Sequence, residues 1–343
     1  MRKINILERI KGHKTISIIG MDKNVGKTTV LNYILNEARG KMSLGLTSIG
    51  RDGEDSDRVT YTEKPKIYIE KGTYVATAKQ CLLNSDITKE IIKTTGINTP
   101  MGEVIITRAL SDGYVELGGP SINSDMKNIC HDLLEYGSEL VIVDGALSRK
   151  TLASPVVTEA AILSTGASLE RSINKVVDST SYIVKLLSLE TENDKKILEL
   201  CREIRKSSKI GFIYEDKTIK CLDILTSLEA SREICENLKE EVSHVVIKGI
   251  ASDKLLRDIM KSTEKYKGVT FLIEDGTKCF AERETFYKFQ KQGGILKVLN
   301  KISLICITCN PKSPYGYEFD RHKFLDELRK NISLPVFDVV GGD

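Results

Sequence analysis

Gly20, Gly26, Lys27 and Thr28 set the chemistry this chain can attempt. They fall within Gly20-Met21-Asp22-Lys23-Asn24-Val25-Gly26-Lys27-Thr28-Thr29. Glycines let a backbone turn tightly and come close to a ligand. A lysine and a hydroxyl directly after the second glycine supply a cation for phosphate oxygens and a ligand for magnesium. Loop N–H groups, and the partial positive charge at the start of a following helix, would favour the same anion. Lys27 would reach the β- and γ-phosphates of ATP and Thr28 would ligate Mg2+. Asp22, Lys23, Asn24, Val25 and Thr29 would line the cradle with them.

Such a loop works only if flanking elements hold it. Ile16 to Ile19 is an apolar, β-branched run that predicts a buried strand. After the loop, Val30, Leu31, Ile34 and Leu35 recur at helical spacing. Strand, glycine loop and helix together form the context of a Walker A phosphate-binding loop. A glycine turn that happens to precede a Lys-Thr helix is the plainer alternative, and the flanking elements disfavour it.

Phosphoryl chemistry also needs acidic partners. The run Ser43 to Ile49 predicts a second strand, ending in Gly50-Arg-Asp52-Gly-Glu54-Asp55. Open α/β sheets place ligands at the carboxyl ends of their strands. Asp52 is therefore a candidate for holding magnesium, with Glu54 and Asp55 beside it; a solvated acidic turn is the equal alternative. Glu139 to Asp144 is an apolar run ending in aspartate, read as a strand whose Asp144 would orient magnesium or water. Arg149 and Lys150 face phosphate or simply form a basic turn. Asn310 ends an apolar run and begins a proline turn, where its amide either reads a nucleobase or makes the turn. Cys306-x-x-Cys309 offers zinc-ligand spacing, but no second pair accompanies it and Cys306 lies within the apolar run. A reduced, structural role is the better reading.

Composition narrows the classes. The chain has 343 residues, 51 basic against 48 acidic, and no long basic run, so nothing argues for nucleic acid. No apolar run reaches the length of a membrane helix, and MRKINILERIKGHK is too charged for a signal peptide. Eight scattered cysteines fit a reducing cytoplasm. Further strands are expected at 66–69, 104–110, 114–117, 160–163, 210–214, 244–250, 269–273, 302–308 and 334–340. The segments 104–110 and 114–117 are expected to pair with each other, and 76–83 to form a short helix. Longer helices are expected at 122–136, 169–187, 192–207, 253–266 and 281–290. The sequence thus predicts an α/β protein: a P-loop NTPase three-layer sandwich with a mostly parallel sheet over 1–208, and a second α/β part over 209–343.

The glycine of this loop sits one residue earlier than in the common G-x-x-x-x-G-K-T pattern, with Met21 in its usual place. In that offset the loop resembles dethiobiotin synthetases, which read G-T-D-T-E-V-G-K-T. Gly20, Asp22, Val25, Gly26, Lys27 and Thr28 match, while Lys23 and Asn24 replace a threonine and a glutamate. Asp144-Gly-Ala stands where those enzymes carry Glu-Gly-Ala. GMDKNVGKTT, LTSIGRDGE, VDGALSRKT and NPKSPYGYEFD together resemble the P-loop subunits of reactivases serving adenosylcobalamin-dependent lysine 5,6-aminomutase. That resemblance implies an ATPase working with a MutS-like second subunit to release damaged cobalamin from the aminomutase; a homodimer is a further open assembly. Two other classes stand beside it. One is a synthetase-like enzyme activating a small carboxylate or carbamate, against which Lys23 and Asn24 count. The other is a nucleotide-switch metallochaperone, against which the lack of a Cys/His cluster counts.

Overall fold

Strand β1 (Thr15–Gly20) is buried at every position because strands flank it on both sides. The computed structural model describes residues 6–50, 67–145, 157–224 and 230–341. Two compact units divide the chain: Met1–Ser181 with Ser303–Asp343, and Tyr182–Ile302.

In the first unit, β1 is followed in chain order by β2 (Leu44–Ser48), β3 (Ile67–Ile69), β4 (Tyr74–Ala78), β5 (Lys89–Thr99), β6 (Gly102–Ala109), β7 (Gly113–Val115), β8 (Leu140–Asp144) and β9 (Ala160–Gly166). The second unit holds β10 (Ile210–Tyr214), β11 (Ile219–Leu222), β12 (Val242–Ile247), β13 (Ala251–Ser252), β14 (Thr270–Ile273), β15 (Cys279–Phe280) and β16 (Ile295–Val298). The chain then returns to the first unit with β17 (Leu304–Asn310) and β18 (Val336–Phe337). The first unit's sheet has nine strands in the order β18-β17-β9-β1-β8-β2-β4-β6-β5. Neighbours from β18 through β4 run parallel; β6 and β5 add antiparallel pairings. The protein is therefore mixed α/β with a large, mostly parallel sheet.

Side chains alternate across that sheet. Ile16, Ile18, Leu44, Leu46, Leu140 and Ile142 share one core with helices α1 (Ile6–Ile10) and α2 (Lys27–Ala38), which contribute Ile6, Leu7, Ile10, Val30, Leu31 and Ile34. After the short α3 (Lys79–Leu83), α4 (Asn123–Glu135) packs on the opposite face. There Leu133 Cβ lies 3.2 Å from where a side chain on Gly45 would begin. Helix α5 (Ile173–Leu187) meets the sheet through Thr180, whose hydroxyl is 2.7 Å from that of Thr165.

The second unit's sheet runs β11-β10-β12-β14-β16. Strands β12, β14 and β16 are parallel, and α8 (Asp253–Ser262) and α9 (Arg283–Lys291) connect them, preceded by α6 (Lys195–Ser207) and α7 (Ser231–Asn237). The apolar faces of α7, α8 and α9 close one core around Phe212, Leu255, Phe271, Phe286 and Phe289, whereas α6 packs Ile197, Leu200, Cys201 and Ile204 into a separate core with Ile213, Val246 and Leu272.

Several sequence expectations differ from what is found. The expected division at 208 falls elsewhere: β17 pairs with β9 from Leu304↔Ala161 to Asn310↔Gly166, and α10 (Arg321–Asn331) follows it, so 303–343 completes the first unit. Residues 76–78 belong to β4, and the helix begins only at Lys79. β6 pairs with β4 and β5, whereas β7 pairs with β3, so 104–110 and 114–117 are not partners. No helix among the described residues is long and apolar enough to cross a membrane.

Candidate functional site

Gly20 closes β1, and the loop after it is tied to β9 at once, Met21 N–H donating to Ser164 O at 2.9 Å. Asp22 Oδ1 accepts from Lys23 N–H at 2.7 Å. Asn24 and Gly26 take φ of 59° and 91°, the left-handed region that asparagine tolerates and glycine favours. Val25 between them is buried. Gly26 caps α2 without a side-chain hydrogen bond, so the first N–H groups of the helix, from Lys27 onward, lack intrahelical acceptors. The absent Cβ of Gly20 matters too: it would stand 2.7 Å from both Lys27 Cδ and Val25 Cγ2. Lys27 thus folds back over the loop, its Nζ donating to Asp22 O at 3.0 Å. Burial lowers the Lys27 pKa, against the opposing pull of the Asp144 and Asp22 carboxylates.

Asp144 ends β8 between β1 and β2, in register with Ile18 on one side and Ser48 on the other. Gly145 N–H donates to Ile18 O and Ile49 N–H to Asp144 O, each at 3.0 Å. Burial raises the Asp144 carboxyl to about 6, although Lys27 and the Gly145 N–H favour its charge. Its Oδ1 is buried with no hydrogen-bond partner among the described residues. An unpaired buried carboxylate oxygen is costly, and positions like it cluster at functional sites.

A third strand end braces the loop. Asn310 Nδ2 donates to Asn24 O, and Asn310 Oδ1 accepts from Lys312 N–H, both at 3.1 Å. The amide read as a nucleobase contact or a turn former is here engaged with the loop itself and with its own turn. A side chain on Gly26 would begin 3.3 Å from Asn310 Cβ. Ser168 Oγ donates to Lys23 O at 3.0 Å, and Tyr317 OH to Ala167 O at 2.5 Å. Ser168 and Tyr317 were not singled out from sequence; Ser164-Thr-Gly-Ala-Ser168, a strand running into a glycine turn, was the available signal.

Gly20, Ser48, Asp144, Gly166 and Asn310 all end parallel strands on one edge of the sheet, where open α/β sheets hold ligands. The structure brings Gly20 through Thr29, Asp144 and Asn310 together there. Asp52, Glu54 and Asp55 lie outside the described residues, as do Arg149 and Lys150. Cys306 and Cys309 are three apart on one strand, hence on opposite faces. Both are buried thiols, pushed up to about 12 by that burial. His131, Asp132 and Glu135 are close enough to share an ion, but they lie on α4, and Lys93 Nζ already holds Asp132 at 2.8 Å. No protein-family model, curated protein or solved structure matches the chain.

Proposed function

We propose that the first unit is a P-loop three-layer sandwich that binds and hydrolyses ATP with magnesium, and that a protein partner governs its turnover. One observation carries the nucleotide reading: the unpartnered, buried Asp144 oxygen next to a lysine folded over a glycine loop. A buried carboxylate oxygen kept without a donor suits a cation or polarised water that arrives with the ligand. The residues fit both cofactors. The N–H groups from Gly26 to Thr29 and the Lys27 ammonium would hold phosphate oxygens, and Thr28 and Asp144 would hold magnesium. Bound magnesium would neutralise charge on the transferring phosphoryl group. Lys27 currently donates to Asp22 O and would exchange that acceptor for a phosphate. Asn310, Ser168 and Tyr317 would keep the loop's shape during the exchange, and Asp52 would act as a further acidic group.

The partner follows from the sequence resemblance to aminomutase reactivases: a MutS-like subunit and a cobalamin-dependent aminomutase, in the cytoplasm. Eight cysteines, none of them joined in a disulfide, agree with a reducing compartment. Calorimetric titration with a non-hydrolysable ATP analogue and magnesium tests the core of the reading. Lys27→Ala removes a charge-assisted contact of about 1.5–3 kcal/mol, so affinity should fall by about tenfold or more. Unchanged affinity in a folded variant would refute the nucleotide site. Turnover that is fast with a small carboxylate and needs no partner would instead favour the synthetase-like reading.

A further inference from the structure

Helix α2 ends far from the glycine loop, about 18 Å along its axis, and its last turn lines a second feature. A cavity of about 830 Å3 opens at the amino edge of the first sheet. Its walls include Leu35 and Ala38 of α2, Ser43 before β2, and the turn after β3. At its mouth stand Tyr68 and Tyr114, cross-strand partners on β3 and β7. Their rings meet edge-on at 5.2 Å between centroids, yet they stay 39% and 44% exposed. A paired aromatic surface left this open at a cavity mouth is unusual in a finished core and common where flat ligands pack.

The charges of the lining do not cancel. Arg39, Lys41, Lys71 and Arg108 face Glu70 and Glu139. Glu70 is taken by an ion pair with Arg39, and Glu139 Oε2 accepts from Ser43 N–H at 2.6 Å. Lys41 Nζ donates to Glu37 O at 2.8 Å. Arg108 lies 5.8 Å over the Tyr74 ring, which holds its guanidinium in place without neutralising it. Asp112 Oδ1 accepts from the Lys71 backbone N–H at 2.8 Å, but among the described residues no ion pair forms with the Lys71 ammonium or the Arg108 guanidinium. A cavity in the size range of small-molecule sites therefore combines aromatic surface with surplus positive charge.

We propose that this cavity binds a small anionic ligand carrying a flat ring, of the nucleoside monophosphate or aromatic carboxylate class. The ring packs against Tyr68 and Tyr114, and the acid group meets Lys71 and Arg108. The site is separate from the glycine loop and stands whether or not that loop binds ATP.

Anilinonaphthalene sulfonate, itself a flat ring bearing an anion, is the probe. The chain contains no tryptophan, so dye fluorescence can be followed in the full-length protein without transfer from that source. One saturable site is expected in wild type and, with the same affinity, in Lys27→Ala. Arg108→Glu and Tyr114→Ala should each weaken dye binding about tenfold or more while circular dichroism stays unchanged. Should Arg108→Glu misfold, Lys71→Glu on the exposed turn carries the same charge test. Displacement by adenosine monophosphate assigns the nucleoside phosphate class, and displacement by 4-hydroxybenzoate the aromatic carboxylate class. The proposal is overturned by unsaturable dye uptake, by loss of the site in Lys27→Ala, or by unchanged affinity in the cavity variants. It is equally overturned if neither competitor displaces the dye, or if only an acidic peptide does.

Discussion

Replacing Asp144 by asparagine should make the ligand-free protein more stable and the enzyme worse. Burial raises the carboxyl from 3.8 to about 6. At about 1.4 kcal/mol for each pH unit, its charged form costs the native state about 3 kcal/mol. The sign follows from linkage. Well below pH 3.8 the carboxyl is protonated in both folded and unfolded chains, and the penalty vanishes. As pH rises toward 6 the unfolded chain ionises first, so native stability is lost progressively through that window and stays lost above it. Asparagine has nearly the same shape and does not titrate. In EDTA and without nucleotide, wild type and Asp144→Asn should therefore differ by only about 0.5 kcal/mol near pH 4. At pH 7.5 the variant should be favoured by about 2–3 kcal/mol, a shift of about 2–4 °C per kcal/mol in the transition of the first unit. ATPase turnover should fall in the same variant, with nucleotide affinity changed less, because the lost charge matters most where charge redistributes. Scanning calorimetry at the two pH values decides the first part. A variant less stable than wild type at pH 7.5 would mean that the Lys27 attraction outweighs desolvation, and that Asp144 is a structural ion-pair partner rather than a carboxylate held ready for a cation.

Other consequences can be checked alongside. Asn310→Ala removes the donor to Asn24 O and the acceptor for Lys312 N–H. It should lower stability by about 1–2 kcal/mol and weaken nucleotide binding, readable by titration and by faster proteolysis of the loop. Thr47 Oγ1 is buried without a partner among the described residues, so Thr47→Val should raise stability by about 1 kcal/mol in chemical denaturation. In the second unit, a Cβ on Gly276 would sit 2.0 Å from Leu186 O. Gly276→Ala should lower the unfolding transition of that unit by 2 kcal/mol or more, to order of magnitude, while leaving nucleotide binding intact.

What could be read in the sequence was what neighbouring residues decide together. The glycine loop, its strand and its helix are contiguous, and β8 announces itself by an apolar run ending in Asp144. Long-range pairing was not legible. β17 joins β9, 143 positions upstream at the Leu304–Ala161 end and 144 at the Asn310–Gly166 end, and no alternation of residue types encodes that choice. The division at 208 failed for this reason. β5 was missed because it lies at the sheet edge, with register shifts between Ile91 and Lys93 and between Thr94 and Asn98. Its faces are both partly solvated, which erases the usual period. Ala76 and Ala78 carry no strand signature of their own; pairing with Ile106 and Val104 of β6 makes them a strand. Within the site, Asn310 stood out for its turn, but its bond to Asn24 depends on that same distant strand pairing.

The insertion of one unit within the other has a temporal consequence. A ribosome delivers β1, the glycine loop, β8 and β9 early, but β17 and its Asn310 emerge only after residues 182–302 have been made. At about 5–20 residues per second, the stretch between Gly166 and Leu304 takes roughly 7–28 s to synthesise. For that interval the nascent sheet presents the β9 edge without its neighbour, and the loop lacks the amide that grips Asn24. Unpaired strand edges are where nascent chains go astray. A ribosome stalled within the second unit would therefore carry a glycine loop with the right residues and an unfinished wall.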